Sequence, residues 1–161
     1  MPCVDHSRLR GPADADVLVR TVEETIGAFE SAGVELHLET DLAPEPLAAV
    51  LDRLEHPLVR ANYDTGNSAA LDYDPRDEWA AYGDRVGSVH IKDRLRGAGS
   101  VPLGEGDADL ETVFDLLVAR GWTRPLVLQV ARGRDGDEVA WVAAAAARVR
   151  HLWAQRSRQW T

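Results

Sequence analysis

Four short apolar runs in this chain each carry a residue able to hold a metal ion or move a proton at or near their C-terminal ends. VELHLE (34–39) ends on Glu39, LVRANY (58–63) runs into Asp64, VGSVHI (86–91) carries His90, and LVLQV (126–130) carries Gln129. Alternation along a strand places Glu39 on one face with His37 and Glu35, Asp64 with Asn62 and Arg60, and Gln129 with Val127. If those faces point the same way, two carboxylates, an imidazole and an amide oxygen converge. That mixed oxygen and nitrogen set suits a divalent cation such as Mn²⁺, Mg²⁺, Co²⁺ or Zn²⁺. A single acidic residue after a strand is more often a helix cap or a solvated loop residue. Recurrence at four successive strand ends favours a site, because active residues of parallel α/β sheets gather at those ends.

Cations cluster nearby. Lys92, Arg94 and Arg96 follow the third of these runs, and Arg132 and Arg134 follow the last. Of the 18 basic residues only Lys92 is a lysine. It stands two residues after His90 on the same strand face, as a compact donor or tunable base that arginine does not imitate. Gly104 and Gly106 flank Glu105 in a glycine-rich loop, where backbone N–H groups can approach an anion. Arg96 and Arg132 are therefore expected to meet a phosphorylated substrate, against the plainer reading of solvated loop charges. His37 lies one layer below Glu39 and reads as a packed interior histidine. Cys3 lacks the histidine or acid spacing of a nucleophile. GxxxxGK[ST], GxGxxG, HExxH and paired CxxC motifs are absent.

The elements that must position these residues follow a βα rhythm. Residues 1–5 read as a short strand. Asp14 or Asp16 caps a helix to Ala32, with Leu18, Val22, Ile26 and Phe29 as its stripe and Gly33 as its stop. A helix over 44–54 separates the first two clear strands. DTGN (64–67) reads as a turn, 75–82 as a helix, 109–120 as a helix, and 135–155 as a long final helix. The whole chain, 1–161, is expected to form one domain. A (β/α)₈ barrel needs about 250 residues; the 161 residues here match an incomplete barrel or an open doubly wound sheet.

Composition removes other classes. The net charge of −9 and pI near 5.0 oppose non-specific binding to nucleic acid. No run approaches the ~20 apolar residues of a membrane span. MPCVDHSRLR carries charges where a signal peptide needs an apolar core. One cysteine excludes an intrachain disulfide framework. A soluble cytoplasmic setting is expected.

At these residues the chain resembles the sugar phosphate isomerase/epimerase family with the xylose isomerase-like barrel. LHLETDL, NYDTGNSA, VHIKDR, VPLGEGD and LVLQVAR match in order and spacing strands five to eight of that barrel, and MPCVDHSRL matches the end of strand four. The resemblance covers almost the whole chain but only the C-terminal portion of the fold. It implies metal ligands at Glu39, Asp64 and His90. At the fourth position Gln129 replaces the family's glutamate. Asn67 stands near the place of a histidine found in epimerising relatives, and Asn62, Asn67, Lys92, Arg96 and Arg132 are the residues expected to bind substrate.

The implied activity is a divalent-metal-dependent isomerase or epimerase acting on a sugar or sugar phosphate through an enediolate, with Glu39 as base and Lys92 beside it. Gln129 does not titrate, which favours one-base isomerisation over two-base epimerisation. The alternative is an inactive barrel fragment that binds a carbohydrate or a partner subunit. An apurinic-site endonuclease shares the barrel but needs a basic surface and more ligands. Five units leave strand edges open, so association into a homo-oligomer is expected.

Overall fold

The computed structural model describes residues 1–133 and 136–158. Five strands, β1 (Pro2–Cys3), β2 (Leu36–Thr40), β3 (Val59–Asp64), β4 (Val86–Ile91) and β5 (Leu126–Leu128), lie in one sheet in chain order. The pairs β1–β2, β2–β3 and β4–β5 are parallel. Consecutive order is that of a βα barrel. A doubly wound sheet reverses its strand order at a switch point, so the open sheet here is the incomplete-barrel alternative.

Among the described residues six α-helices connect or follow the strands: α1 (Pro12–Ala32), α2 (Pro44–Arg53), α3 (Thr65–Ala70), α4 (Pro75–Tyr82), α5 (Leu110–Ala119) and α6 (Glu138–Ser157). The chain divides into two compact units, 1–63 with 77–88, and 64–76 with 89–161.

In the first unit, β2 and β3 pair as Leu36↔Val59, His37↔Arg60 and Leu38↔Ala61. Leu36, Leu38, Val59 and Ala61 are buried. The apolar stripes of α1 (Leu18, Val19, Val22) and α2 (Leu47, Val50, Leu51) are buried likewise. The polar parity, His37, Glu39, Arg60 and Asn62, takes the other face. α1 begins earlier than the acid-cap reading expects. Pro12 occupies its first turn, and neither Asp14 nor Asp16 caps it. A proline has no N–H to satisfy, so the start needs one acceptor fewer. Asp14 instead accepts from the Arg10 backbone and guanidinium. At the other end Gly33 is left-handed, as its place after Ala32 suggests. Arg85 closes the end of α2: its guanidinium donates to the carbonyls of Leu51, Leu54 and Val59 at 3.0, 2.9 and 3.1 Å.

In the second unit, β4 and β5 pair as Val89↔Leu126, His90↔Val127 and Ile91↔Leu128. α5 is capped by Asp109, whose side chain accepts from Thr112 N–H. It buries Leu110, Val113, Phe114 and Leu117. α6 buries only Ala145, Val149 and Leu152 along its length, and Phe114 meets Trp153 edge-on. The expected start of this helix at Asp135 lies outside the described residues, as do Arg134 and Trp160; the helix runs from Glu138 with Asp137 as cap. DTGN is not a free turn. Thr65 to Ala70 form a short helix whose cap is Asp64. Its six residues are too few to show a helical period in sequence.

Three charge-assisted bonds, two at the end of α2 and one at the start of β3, make Arg85 a stability residue. Arg85→Ala leaves those carbonyls without their guanidinium, and urea unfolding is expected to show a loss of about 2 kcal/mol. Arg85→Lys recovers only part of it, because an ammonium lacks the planar fork.

Candidate metal centre

Asp64 stands at the junction of β3 and α3 and is buried. Its Oδ1 accepts from Gly66 N–H at 2.9 Å and Asn67 N–H at 2.8 Å. That is the cap role a lone aspartate after a strand suggests. Its Oδ2 turns elsewhere, 3.9 Å from His90 Nδ1 and 3.8 Å from Lys92 Nζ. One carboxylate thus serves the fold with one oxygen and faces two site residues with the other.

Lys92 is held on the same side. Its Nζ donates to Asn67 Oδ1 at 3.3 Å, and its backbone N–H and C=O both bond Thr65 Oγ1, at 2.9 and 2.6 Å. A Cβ at position 66 would lie 2.7 Å from Lys92 Cγ, so Gly66 gives the lysine room. Arg94 Nη1 shares Asn67 Oδ1 at 2.8 Å. Asn67 is thereby a platform for two cations.

In the first unit, half-buried Glu39 receives Asn62 Nδ2 at 2.8 Å on Oε2. Ser88 Oγ bonds Asn62 Oδ1 at 2.6 Å and His37 Nδ1 at 2.7 Å. Ser88 therefore shares the face of His37 and Asn62, and His90 follows it two residues on along β4. His37 is not simply packed away. It is half-buried, with Nε2 against Glu35 Oε2 at 2.8 Å.

Gln129 lies just past β5, which ends at Leu128 rather than Val130. It is exposed, and its backbone N–H donates to Ile91 O at 3.1 Å. Since His90 pairs with Val127, Gln129 has the parity of the His90 face. Arg96 turns outward into an exposed pair with Asp72 at 2.6 Å, and Arg132 is exposed. Arg94, rather than Arg96, joins Lys92 at Asn67.

The glycine-rich loop corrects one expectation. The N–H groups of Gly104, Gly106 and Ala108 do not wait for an anion: they donate to the carboxylate of Asp93, at 2.7, 3.1 and 3.1 Å. Asp93 is buried, and a Cβ at position 106 would lie 2.2 Å from its Oδ1. The glycines there admit a protein carboxylate. Asp93 went unremarked in sequence because its partners lie 11–15 residues on in an irregular loop. Its only sequence signal is an acid directly after a strand.

Consecutive parallel βα units with acids and a histidine at their strand ends define a class, and comparison with known proteins identifies it. The profile of the xylose isomerase-like TIM barrel matches residues 5–152, and the chain belongs to that family. It is 33% identical over 93 residues, 57% of its length, to L-ribulose-5-phosphate 3-epimerase UlaE of Escherichia coli; the alignment spans 33% of that enzyme. A xylose isomerase domain protein from Planctomyces limnophilus superposes with a TM-score of 0.76 at 23% identity, over 91% of this chain and 55% of that one. A xylose isomerase-like TIM barrel protein from Mycobacterium smegmatis, solved in complex with magnesium, gives 0.68 at 21% identity, over 93% of this chain and 54% of that one. This chain therefore spans about half the length of its solved relatives. No helix among the described residues is long and apolar enough to cross a membrane.

The Asp93 arrangement is testable apart from any activity. Asp93→Ala leaves three loop N–H groups without their acceptor. Amide exchange at Gly104, Gly106 and Ala108 is expected to accelerate, with a stability loss of about 3 kcal/mol in urea. Unchanged protection at all three amides would contradict the role.

Proposed function

We propose that Glu39, Asp64 and His90, with Gln129 as a neutral fourth ligand, hold one divalent cation, and that the chain acts as a sugar or sugar phosphate isomerase/epimerase. The observation that carries this reading is the donor set. Glu39, Asp64 and His90 each offer one ligand atom, and Asp64 Oδ2 lies 3.9 Å from His90 Nδ1. Two carboxylate oxygens and an imidazole nitrogen fit Mn²⁺, Mg²⁺, Co²⁺ or Zn²⁺ by type. The magnesium-bound relative and the phosphoketose epimerase relative support the same chemistry. The cytoplasm, where such phosphorylated sugars are handled, is the proposed setting.

The cation supplies polarisation of a carbonyl and its neighbouring hydroxyl when bound. The chain's own residues do the rest. Glu39 accepts the proton from the carbon next to the carbonyl, which leaves an enediolate. Lys92, already beside Asp64 and Asn67, donates to a sugar oxygen. Returning the proton from Glu39 to the adjacent carbon completes isomerisation on one face. Gln129 offers an oxygen but takes up no proton, so inversion at a single carbon lacks its second base.

Substrate contacts are proposed at Asn67 and Lys92, with Arg94 held at the same amide. Arg96 and Arg132 stand as outer contacts for a phosphate. A chain that binds a carbohydrate or a partner subunit without turnover is the second reading. Its support is the place of β5 at one end of the strand order among the described residues. Val127 of β5 is 44% exposed, and pairing of such edges would make a homo-oligomer.

Two measurements separate the readings. Calorimetry with Mn²⁺ on the full chain is expected to show one site, weakened in Glu39→Gln, which removes an anionic ligand, and tightened in Gln129→Glu, which adds one. Proton NMR of L-ribulose 5-phosphate in D₂O is expected to show deuterium entering next to the carbonyl with wild type and none with Glu39→Gln. Metal and sugar binding with no exchange in wild type selects the non-catalytic reading. Absence of Mn²⁺ binding overturns the metal centre.

A further inference from the structure

Behind Glu39 runs a chain of hydrogen bonds that the proposed chemistry does not use. Glu35 Oε2 meets His37 Nε2 at 2.8 Å, and His37 Nδ1 meets Ser88 Oγ at 2.7 Å. Ser88 Oγ meets Asn62 Oδ1 at 2.6 Å, and Asn62 Nδ2 meets Glu39 Oε2 at 2.8 Å. The five side chains come from β2 and its approach, β3 and β4.

The direction of these bonds follows from what each atom can give. A carboxylate oxygen of Glu39 accepts, so Asn62 turns its NH₂ toward it. The amide oxygen of Asn62 then faces Ser88 and needs a donor. Ser88 has one proton; given to Asn62, it obliges His37 to donate through Nδ1. Turning the Asn62 amide over would set an amide oxygen against a carboxylate oxygen, two acceptors with no proton between them. The room for His37 is itself built in: a Cβ at position 87 would lie 2.6 Å from His37 Nε2.

We infer that Ser88 and His37 are positioning residues that act through Asn62 to fix the carboxylate of Glu39. The inference rests on the proposed role of Glu39 and reassigns Asn62, whose amide oxygen and nitrogen both serve the protein, from substrate contact to carboxylate holder. Oε2 is kept as the oxygen that accepts from Asn62, so metal and proton are taken up by a carboxylate of one fixed orientation. Partners that orient a metal ligand typically carry about 10-fold or more in metal affinity.

The test uses the full chain with Mn²⁺ as probe. Ser88→Ala is expected to weaken Mn²⁺ binding about 10-fold while thermal unfolding stays close to wild type, and Ser88→Thr, which keeps the hydroxyl, is expected to restore the affinity. Wild-type affinity in Ser88→Ala overturns the inference. A second readout needs no metal. The Asn62 side-chain amide signal in ¹⁵N NMR is expected to shift and to exchange faster with solvent in Ser88→Ala, and to stay in place in Ser88→Thr. If the wild-type chain binds no Mn²⁺, the metal-centre reading fails on its own. The Asn62 signal then decides the positioning role, and an unmoved signal in Ser88→Ala overturns it. Should Ser88→Ala not fold, Ser88→Cys, a near-isosteric side chain with a weak donor, carries both measurements.

Discussion

Register between parallel strands is the constraint on which this molecule's chemistry depends. Side chains alternate faces with a period of two, so pairing Leu38 with Ala61 decides that Glu39 and Asn62 share a face. A shift of one residue in β2 would send Glu39 toward the helices and bring a leucine into its place. The buried parity of β2 opposes that shift, because Leu36 and Leu38 would both have to leave the core. Burial of about 1.5–3 kcal/mol for each large apolar side chain therefore protects the position of a polar residue that contributes none of it. Stability and site geometry are two consequences of one register.

Residues around the site serve both ends. Asp64 caps α3 with Oδ1 and faces His90 and Lys92 with Oδ2. Asn67 sits in that same helix and collects Lys92 and Arg94. Asp93, next to Lys92 in sequence, gathers the following loop through Gly104, Gly106 and Ala108. The segment from His90 to Arg94 thus alternates between facing the site and holding the fold. A loop with few apolar contacts gains its order from a buried carboxylate with three donors, an arrangement that is strong because every member is satisfied.

Strand periodicity made β2, β3 and β4 legible in the sequence, and with them the faces on which their polar residues alternate. The βα rhythm alone suits a barrel and a doubly wound sheet equally; the motifs shared with the xylose isomerase-like barrel chose the barrel, and the consecutive strand order agrees. Local signals also misled. Asp14 looks like a cap because it precedes an apolar stripe, but Pro12 begins the helix without one. Gly104 and Gly106 look like an anion cradle because glycine exposes its N–H groups, and the anion proved to be Asp93. Ser88 drew no attention as one small polar residue in a strand. Its meaning arises only when the fold sets it between His37, 51 residues earlier, and Asn62, 26 residues earlier. Contacts of that separation are invisible to any local pattern.

Direct location of a bound ion tests the central claim most sharply. Crystals of the chain grown with Mn²⁺, with diffraction recorded near the manganese absorption edge, are expected to show one anomalous peak within coordination distance of Glu39, Asp64 and His90. The Asn62 amide should still rest on Glu39 Oε2 in that structure. A manganese peak held by other residues, or none at these three in crystals grown with saturating Mn²⁺, would contradict the account.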